Sequence, residues 1–167
     1  FFTEVRVRDD HRLGDINNGW NVALTTLMNE RAAIGAGGGG GGMFTRVIEM
    51  VKFYGLNNDP VVRDELAKII IHSRVASFNN QRAMDKIKSG QMPGPEMSIA
   101  KLAGTANMMR LGDFVSMVLG PKLIADSGEW GTYAWNQLIL GTPGGRIAGG
   151  SDEIMRNIVA ERVLGMP

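Results

Sequence analysis

The stretch from Asp59 to Gly90 constrains the fold most, because its pattern is that of one long helix. Asp59 is suited to the N-cap and Pro60 to the first helical position, where a missing N–H leaves no bond unmade. Ser89-Gly90 supplies a stop signal after Lys88. Between these signals, apolar residues recur at helical spacing on one face: Val62, Leu66, Ile69, Ala76, Ala83 and Ile87. The segment therefore predicts a long amphipathic helix.

Two segments before this helix show the same spacing. The first would place on one helix face Trp20, Ala23, Leu27, Glu30 and Ile34. The second follows a run of glycines and contains Phe44, Val47, Ile48 and Val51. We expect a helix in each.

Two further helices are predicted after Gly90. Ser98 is expected to cap one that ends at Gly120-Pro121, with a shared face of Ala100, Gly104, Met108, Leu111, Val115 and Val118. A shorter helix is expected over residues 129–140, followed by loops at 141–145 and 149–150.

A last helix is predicted after Ser151, which can cap it, with Asp152 and Glu153 in the first turn, where the helix dipole favours carboxylates. Its apolar side would consist of Ile154, Ile158 and Val159. Taken together, these segments predict an all-α fold, an antiparallel (up-down) helical bundle with short connections over residues 16–167.

The first residues follow a different pattern, because Val5 and Val7 alternate with Glu4, Arg6 and Arg8 as in a β-strand. A lone strand before a helical chain has nothing to pair with, and the sequence does not begin with Met. We therefore expect residues 1–15 to be the last strand and linker of a sheet domain that lies upstream.

Composition excludes several classes of function. The chain has 18 Lys and Arg against 17 Asp and Glu, so its net charge of +1 gives no electrostatic case for binding nucleic acid. It has no Cys, which excludes disulfides and thiolate metal sites, and with only two His we expect no metal centre. No apolar run reaches the roughly 18 residues that a membrane span needs.

Six consecutive glycines at residues 37–42 raise the possibility of a phosphate-binding loop. No Lys-Ser or Lys-Thr follows them and no strand directly precedes them, so neither common nucleotide motif is present. A flexible joint or a close backbone approach accounts for the run better.

Glu30 is the candidate that the pattern singles out, because it lies among apolar residues on its predicted helix face. Burial would raise the pKa of its carboxyl toward the range useful for a general base. The alternative is a structural one, in which Glu30 reaches the rim and pairs with Arg31 or Arg46.

Three other side chains are given structural roles. His72 lies within the long helix and is interpreted as a structural histidine with satisfied hydrogen bonds. Trp130 and Trp135 could line a cavity but are expected in the core.

Long motifs at both ends resemble one known family. Residues 1–7 and 13–20 resemble the passage from the middle sheet domain to the C-terminal helices of acyl-CoA dehydrogenases, and residues 147–167, which include Gly149-Gly150-Ser151-Asp152-Glu153-Ile154, resemble that family's C-terminal signature. Shorter segments around Asp59-Pro60, Pro93-Gly94-Pro95 and Lys101-Leu102 are similar to those of bacterial members. The chain is thus identified as a member of this family, as its C-terminal helical domain.

The resemblance implies a flavoenzyme. It implies FAD as cofactor, an acyl-CoA thioester as substrate, α,β-dehydrogenation as the reaction and an electron-transfer flavoprotein as electron acceptor. It also implies a dimer or tetramer, homo- or hetero-oligomeric, and a cytoplasmic enzyme of fatty acid and lipid metabolism.

The resemblance also assigns site residues. Many members carry the catalytic Glu where this chain has Gly149, whereas a second group carries it on the first long helix directly before an Arg, which Glu30-Arg31 matches. Glu30 is therefore the expected base and Arg31 a substrate-binding residue. The expected FAD contacts are Gly150, Ser151 and Glu153.

Some family segments are absent, which leaves a second interpretation open. The Arg-x-x-Phe-Gly segment and the Phe-Gly-Gly-x-Gly segment, both of which hold FAD in many members, are not recognisable here. The alternative is a non-catalytic partner subunit or oligomerisation module of a mixed complex.

Overall fold

The computed structural model describes residues 1–36, 40–91, 94–124, 127–129 and 132–167, and this part of the chain is helical. The described residues form six α-helices: α1 (Gly19–Ala36), α2 (Gly40–Phe53), α3 (Pro60–Lys88), α4 (Met97–Leu119), α5 (Thr132–Ile147) and α6 (Asp152–Arg162). Short 3-10 helices lie at Asp9–His11 and Gly120–Leu123. The predicted all-α bundle is confirmed.

Helix α4 lies at the centre of the bundle and packs against α1, α3, α5 and α6. The hydrophobic core is built where α4 meets α2, α3 and α5, from Val47, Met50, Val51, Val62, Ile69, Leu111, Phe114, Val115, Leu119 and Trp135. Trp135 is therefore a core residue, as expected, whereas Trp130 lies outside the described residues.

The bounds predicted for α3 are confirmed by its capping bonds. The carboxylate of Asp59 accepts hydrogen bonds from the backbone N–H of Val61 at 2.8 Å and of Val62 at 3.0 Å. At the other end Ser89 is the C-cap, and Gly90 follows with a φ of +85°, which glycine adopts without strain. On the predicted face, Val62, Ile69 and Ala83 are buried.

Ser98 does not cap α4, so that prediction is wrong. The helix begins at Met97, two residues earlier than a Ser98 cap predicts, because the backbone N–H groups of Met97 and Ser98 already bond to the carbonyls of Gly94 and Pro95 at 3.1 and 3.0 Å. Glu96 is the N-cap, and Ser98 is buried in the first turn.

Residues 141–145 are helical, which corrects the predicted loop, and α5 continues through Pro143 to Ile147. Pro143 has no N–H to donate to the carbonyl of Ile139, four residues earlier. The hydroxyl of Thr142 donates to that carbonyl instead, at 2.8 Å. This local substitute lets the helix pass a sequence that contains both Pro and Gly.

Helix α6 begins after Ser151 as predicted, but it buries a different side. Ser151 is the N-cap residue, and its side chain makes no capping hydrogen bond. The buried residues are Asp152 and Met155, whereas Ile154 is exposed and Ile158 and Val159 are half-buried. The predicted apolar side is thus wrong at Ile154, because Asp152 turns inward to a buried charge partner.

The predicted apolar face of α1 is also not buried. Trp20 is 76% exposed and Leu27 37% exposed. The reason is that α1 packs against α4 alone among the larger helix contacts of the described chain, so most of its surface faces solvent.

Residues 1–8 form no helix, and the described part of the chain contains no strand. The prediction that residues 1–15 are the last strand and linker of an upstream sheet domain stays a prediction, since a strand needs a paired neighbour and the described residues offer none. No helix among the described residues is long and apolar enough to cross a membrane.

The glycine run is described only from residue 40 onward, so residues 37–39 lie outside the description. Residues 40–42 form the first turn of α2. A Cβ added at Gly42 would meet no atom within 4 Å, so the close backbone approach considered for this run is not found at Gly42.

Candidate functional site

The expected site residues lie on two elements that both pack against α4. Glu30 and Arg31 belong to the C-terminal half of α1. Gly150, Ser151 and Glu153 lie together where the chain passes from α5 to α6.

Glu30 is exposed, which corrects the expectation of a carboxylate buried on an apolar stripe. No ion pair with Arg46, the structural alternative, is present among the described side chains. The Arg31 side chain lies outside the described residues. The Glu30 carboxylate therefore lies on a solvent-exposed face of α1 and is accessible in this chain.

The turn between α5 and α6, residues 148–151, has one backbone conformation that only glycine adopts easily. Gly149 has a φ of +66° and Gly150 a φ of +102°. A Cβ at Gly150 would lie 2.6 Å from the Cε atom of Met155, which is fully buried. The dihedral angle favours glycine at position 150, and a Cβ there would in addition require the end of the Met155 side chain to move.

A buried lysine holds this turn from the side of α4. The side chain of Lys101 has no exposed surface. Its Nζ donates to the carbonyl of Arg146 at 3.0 Å, to the carbonyl of Gly150 at 2.8 Å and to Oδ1 of Asp152 at 3.3 Å. An ammonium has three N–H donors, so each is matched by one acceptor.

Arg146 completes the arrangement from the solvent side. Its Nε donates to Oδ2 of Asp152 at 2.7 Å, so the carboxylate is shared by two cations. We call Lys101, Arg146 and Asp152 the Lys101 cluster. It joins α4, the end of α5 and the start of α6.

The ionisation states in the cluster follow from its geometry. Burial by itself raises the pKa of Asp152, but the hydrogen bonds from Arg146 and Lys101 outweigh it and hold that pKa below its ordinary value. The pKa of Glu153 is also lowered, by its own backbone N–H and by the Ser151 hydroxyl. Both carboxylates are therefore ionised at neutral pH.

The start of α6 carries the Ser151 hydroxyl and the backbone N–H groups of its first turn, and in this chain that hydroxyl and the N–H of Glu153 bond to the Glu153 carboxylate, so a ligand would have to take them over. Asp152 is neutralised by the Lys101 cluster, whereas the ionised Glu153 is exposed beside these donors. The set thus fits a neutral hydrogen-bonding part of a cofactor, such as a flavin ring, better than a pyrophosphate. The described residues contain no group of side chains that could hold a metal ion.

The residue that reasoning from sequence missed is Lys101, which entered only as part of a short family-like segment. The available signal was its position on α4 between Ala100 and Thr105, which are both buried. A charged residue at such a position requires an acceptor set elsewhere in the fold.

His72 lies on the wall of an open cleft of about 260 Å³ between α3 and α4. His72 is exposed, and its interpretation as a structural rather than a catalytic histidine stays a prediction. The wall of the cleft mixes charges of both signs over an apolar floor: Glu65, Lys68, Ile69, His72, Arg110, Asp113, Phe114 and Met117.

Comparison with known proteins places this architecture in a family. A family profile described as "Acyl-CoA dehydrogenase, C-terminal domain" matches residues 17–164. The chain is 30% identical over its whole length to acyl-CoA dehydrogenase FadE34 of Mycobacterium tuberculosis, of which it covers 22%. It is 31% identical to acyl-CoA dehydrogenase IpdE1 of the same organism and covers 43% of it.

Solved structures show the same fold. A G363A variant of the steroid ACAD designated Tcur3481-Tcur3483 matches the whole chain with a TM-score of 0.87 and 25% identity, over 45% of its own length. A glutaryl-coenzyme A dehydrogenase in complex with glutaryl-CoA matches with a TM-score of 0.80 and 19% identity, over 43% of its length. The chain spans less than half of each of these relatives, and it belongs to the acyl-CoA dehydrogenase family, whose C-terminal domain it matches.

Proposed function

We propose that this chain is the C-terminal domain of an FAD-dependent enzyme that dehydrogenates an acyl-CoA thioester between its α and β carbons. The observation that carries the proposal is the α5–α6 turn, where the family-like motif around Gly150 and Ser151 is held in one conformation by the Lys101 cluster. In this division, residues 1–15 lead from a sheet domain and residues 16–167 form the helical domain.

Glu30 is the proposed base, and its exposure in this chain is compatible with that role. A carboxylate that takes the α-proton must reach substrate, and the open face of α1 leaves it accessible to a ligand held between this domain and the rest of the subunit. Arg31 is the proposed substrate-binding residue beside it. Bound FAD would accept the β-hydrogen as hydride and pass electrons to an electron-transfer flavoprotein.

The test of the base is a Glu30→Gln variant of the complete subunit, mixed with acyl-CoA in a stopped-flow spectrophotometer. Loss of a general base lowers a rate by about 10²–10⁴-fold, so flavin bleaching should slow by that factor while FAD stays bound. Glu49→Gln is the matched control, since Glu49 is an exposed glutamate on α2. Undiminished bleaching in Glu30→Gln contradicts the assignment.

The substrate class we propose is a bulky acyl-CoA such as a steroid-derived thioester. Its support is the steroid ACAD among the structural relatives at 25% identity. Turnover of a steroid-derived acyl-CoA is expected to exceed that of straight-chain acyl-CoA thioesters in kcat/KM. The reverse order of kcat/KM contradicts the substrate class and leaves the reaction type standing.

A second candidate function is that of a non-catalytic partner subunit in a mixed dimer or tetramer. Gly149 occupies the position where many members of the family carry the base, and the designation of one relative joins two components. The measurement is the mass of the purified oligomer together with its FAD content and its turnover. A homomeric protein that holds FAD and turns over substrate alone excludes this candidate.

A further inference from the structure

We propose that Lys101 is a positioning residue that orients the first turn of α6, together with its N-cap Ser151, toward the bound flavin. The inference rests on the proposed function for the identity of the ligand, and on the geometry of the Lys101 cluster for everything else. Lys101 itself touches neither substrate nor cofactor, because its side chain is fully buried.

The three acceptors of Lys101 belong to three different places in the chain. The carbonyl of Arg146 lies in the last turn of α5, the carbonyl of Gly150 in the turn and the carboxylate of Asp152 in the first turn of α6. The last carbonyls of a helix have no partner within the helix, so a cation there satisfies an otherwise open acceptor. One ammonium thus fixes where α5 ends and where α6 begins.

The charge of the buried Lys101 side chain points to a role in positioning the turn rather than in packing. A buried ion pair is weak support for stability, since well-packed apolar residues of similar volume often do as well or better. What an apolar residue cannot do is select the direction of the Gly150 carbonyl. That carbonyl accepts a hydrogen bond from Lys101 Nζ at 2.8 Å, which fixes the orientation of the peptide group that joins Gly150 to Ser151.

A second constraint acts on the same residue from the other side. Gly150 lies close to Met155, since a Cβ at position 150 would be 2.6 Å from Cε of that fully buried side chain. Lys101 thus holds the Gly150 carbonyl, and Met155 leaves little space for a side chain at position 150. The Ser151 side chain makes no capping hydrogen bond to its own helix, and its hydroxyl donates to the exposed Glu153 carboxylate instead.

The first test measures the turn directly, with FAD removed, by hydrogen exchange in the complete protein. Lys101→Met keeps most of the side-chain volume and removes the charge. We expect exchange in a peptide covering residues 148–155 to accelerate at least tenfold, with little change in α3. Lys122→Met is the matched control, because Lys122 is a half-exposed lysine paired with Glu129 at 3.0 Å.

The second test follows the flavin in the loaded protein. In Lys101→Met we expect FAD to remain bound, its visible absorption band to shift and kcat to fall about 10–100-fold, with KM changed much less. A purely structural role predicts a lower Tm with an unchanged flavin spectrum well below that Tm. Should Lys101→Met fail to fold, Arg146→Met removes the partly exposed partner of Asp152 and is expected to produce the same changes at smaller size.

The outcomes distinguish the effect of Lys101 on the turn from its effect on the bound flavin. Unchanged exchange at residues 148–155, or an equal acceleration over the whole domain, overturns the positioning role. Local acceleration with an unchanged flavin spectrum overturns the link to the cofactor. A wild-type complete protein that holds no flavin overturns the proposed function, while the exchange result still decides what Lys101 does to the turn.

Discussion

Pro143 removes one backbone donor from the interior of α5, and the Thr142 side chain supplies another. The Thr142 hydroxyl lies 2.8 Å from the carbonyl of Ile139, and Thr142 is buried. A buried carbonyl without a partner costs about 1–3 kcal/mol. The hydroxyl is thus a condition for the helix to continue past Pro143.

Replacing Thr142 by Val should therefore lower the free energy of unfolding by about 1–2 kcal/mol, because shape is kept and one acceptor is left open. Urea unfolding followed by circular dichroism measures it. Thr25→Val is the matched control, since the Thr25 hydroxyl donates to the carbonyl of Asn21 at 2.9 Å on an exposed helix. We expect a change below about 0.5 kcal/mol there. Equal losses in both variants would refute the special role of Thr142.

Asp152 gives the stability of the domain a defined pH dependence. Its folded pKa is lowered, since the hydrogen bonds from Arg146 and Lys101 outweigh burial, whereas in the unfolded chain it titrates near its ordinary value of about 3.9. The contribution of its charge to stability is therefore fully present above that unfolded value and is lost as the pH falls below it toward the folded pKa.

In Asp152→Asn, the free energy of unfolding at pH 7 should be lower than in the wild type by about 3 kcal/mol, because one partner of a buried pair is gone. The difference should narrow as the pH falls below about 4, because the unfolded wild-type chain then takes up a proton at Asp152 that the folded chain, with its lower pKa, does not yet bind. Urea unfolding at intervals of half a pH unit measures this. Asp10→Asn serves as control, since Asp10 and Arg8 form an exposed pair. A difference for Asp152→Asn that is independent of pH contradicts the assignment.

At the scale of residues, sequence patterns predicted where the candidate site lies along the chain, but they did not predict which of its side chains are buried or paired. The family-like motif led to Gly150, Ser151 and Glu153, which lie together, but the stripe argument misjudged Glu30, which is exposed. Helical spacing reports which residues share a face and does not say whether another element covers that face. Lys101 could not be paired from sequence, because its acceptors lie 45 to 51 residues away.

At the scale of elements, local signals decided what could be predicted. The bounds of α3 follow from Asp59, Pro60 and Gly90, which act within one turn of the helix ends. The end of α5 did not follow, because Gly141, Pro143 and Gly144 are breakers by propensity. The hydroxyl of Thr142 and packing against α4 override them.

Replacing either of two helical glycines by alanine should make the domain more stable. Gly104 in α4 and Gly144 in α5 are exposed, and a Cβ at either would meet no atom within 4 Å. Alanine at each should raise the free energy of unfolding by about 0.5–1 kcal/mol, because the unfolded chain loses freedom that the helix does not use. Midpoints of urea unfolding measure the gain.

Gly150→Ala is the contrasting variant for this prediction. It combines a φ of +102° with a Cβ position 2.6 Å from Met155 Cε, so we expect a loss of stability rather than a gain. Stabilisation by Gly150→Ala, or destabilisation by Gly104→Ala and Gly144→Ala, would show that these backbone positions differ from those described.

Across the whole molecule, protection from solvent falls from α4 outward to α1. Helix α4 packs against four other helices and carries ten buried residues, whereas Trp20 and Leu27 of α1 remain exposed. We therefore expect amides of α4 to exchange only when the domain unfolds and those of α1 to exchange through local opening.

Hydrogen exchange of the 167-residue chain should therefore show at least a hundredfold lower protection in α1 than in α4. In the complete protein, protection of α1 should rise, because the proposed function has substrate and the remaining subunit cover its open face. Helix α3 provides an internal reference in both samples. Equal protection of α1 and α4 in the isolated chain would contradict the order of stability described here.

Because Lys101 lies far before its acceptors in the sequence, it is synthesised well before they are. The lysine leaves the ribosome 45 residues before Arg146 and 51 before Asp152, so the nascent α3–α4 pair must form with that ammonium still hydrated. Closing a segment of this length costs on the order of 3 kcal/mol in chain entropy, which is recovered only when α5 and α6 arrive together. A message truncated before the codon for Arg146 would leave the buried Lys101 ammonium without its acceptors, and we expect the resulting α4, which cannot complete its packing, to be degraded by cellular proteases.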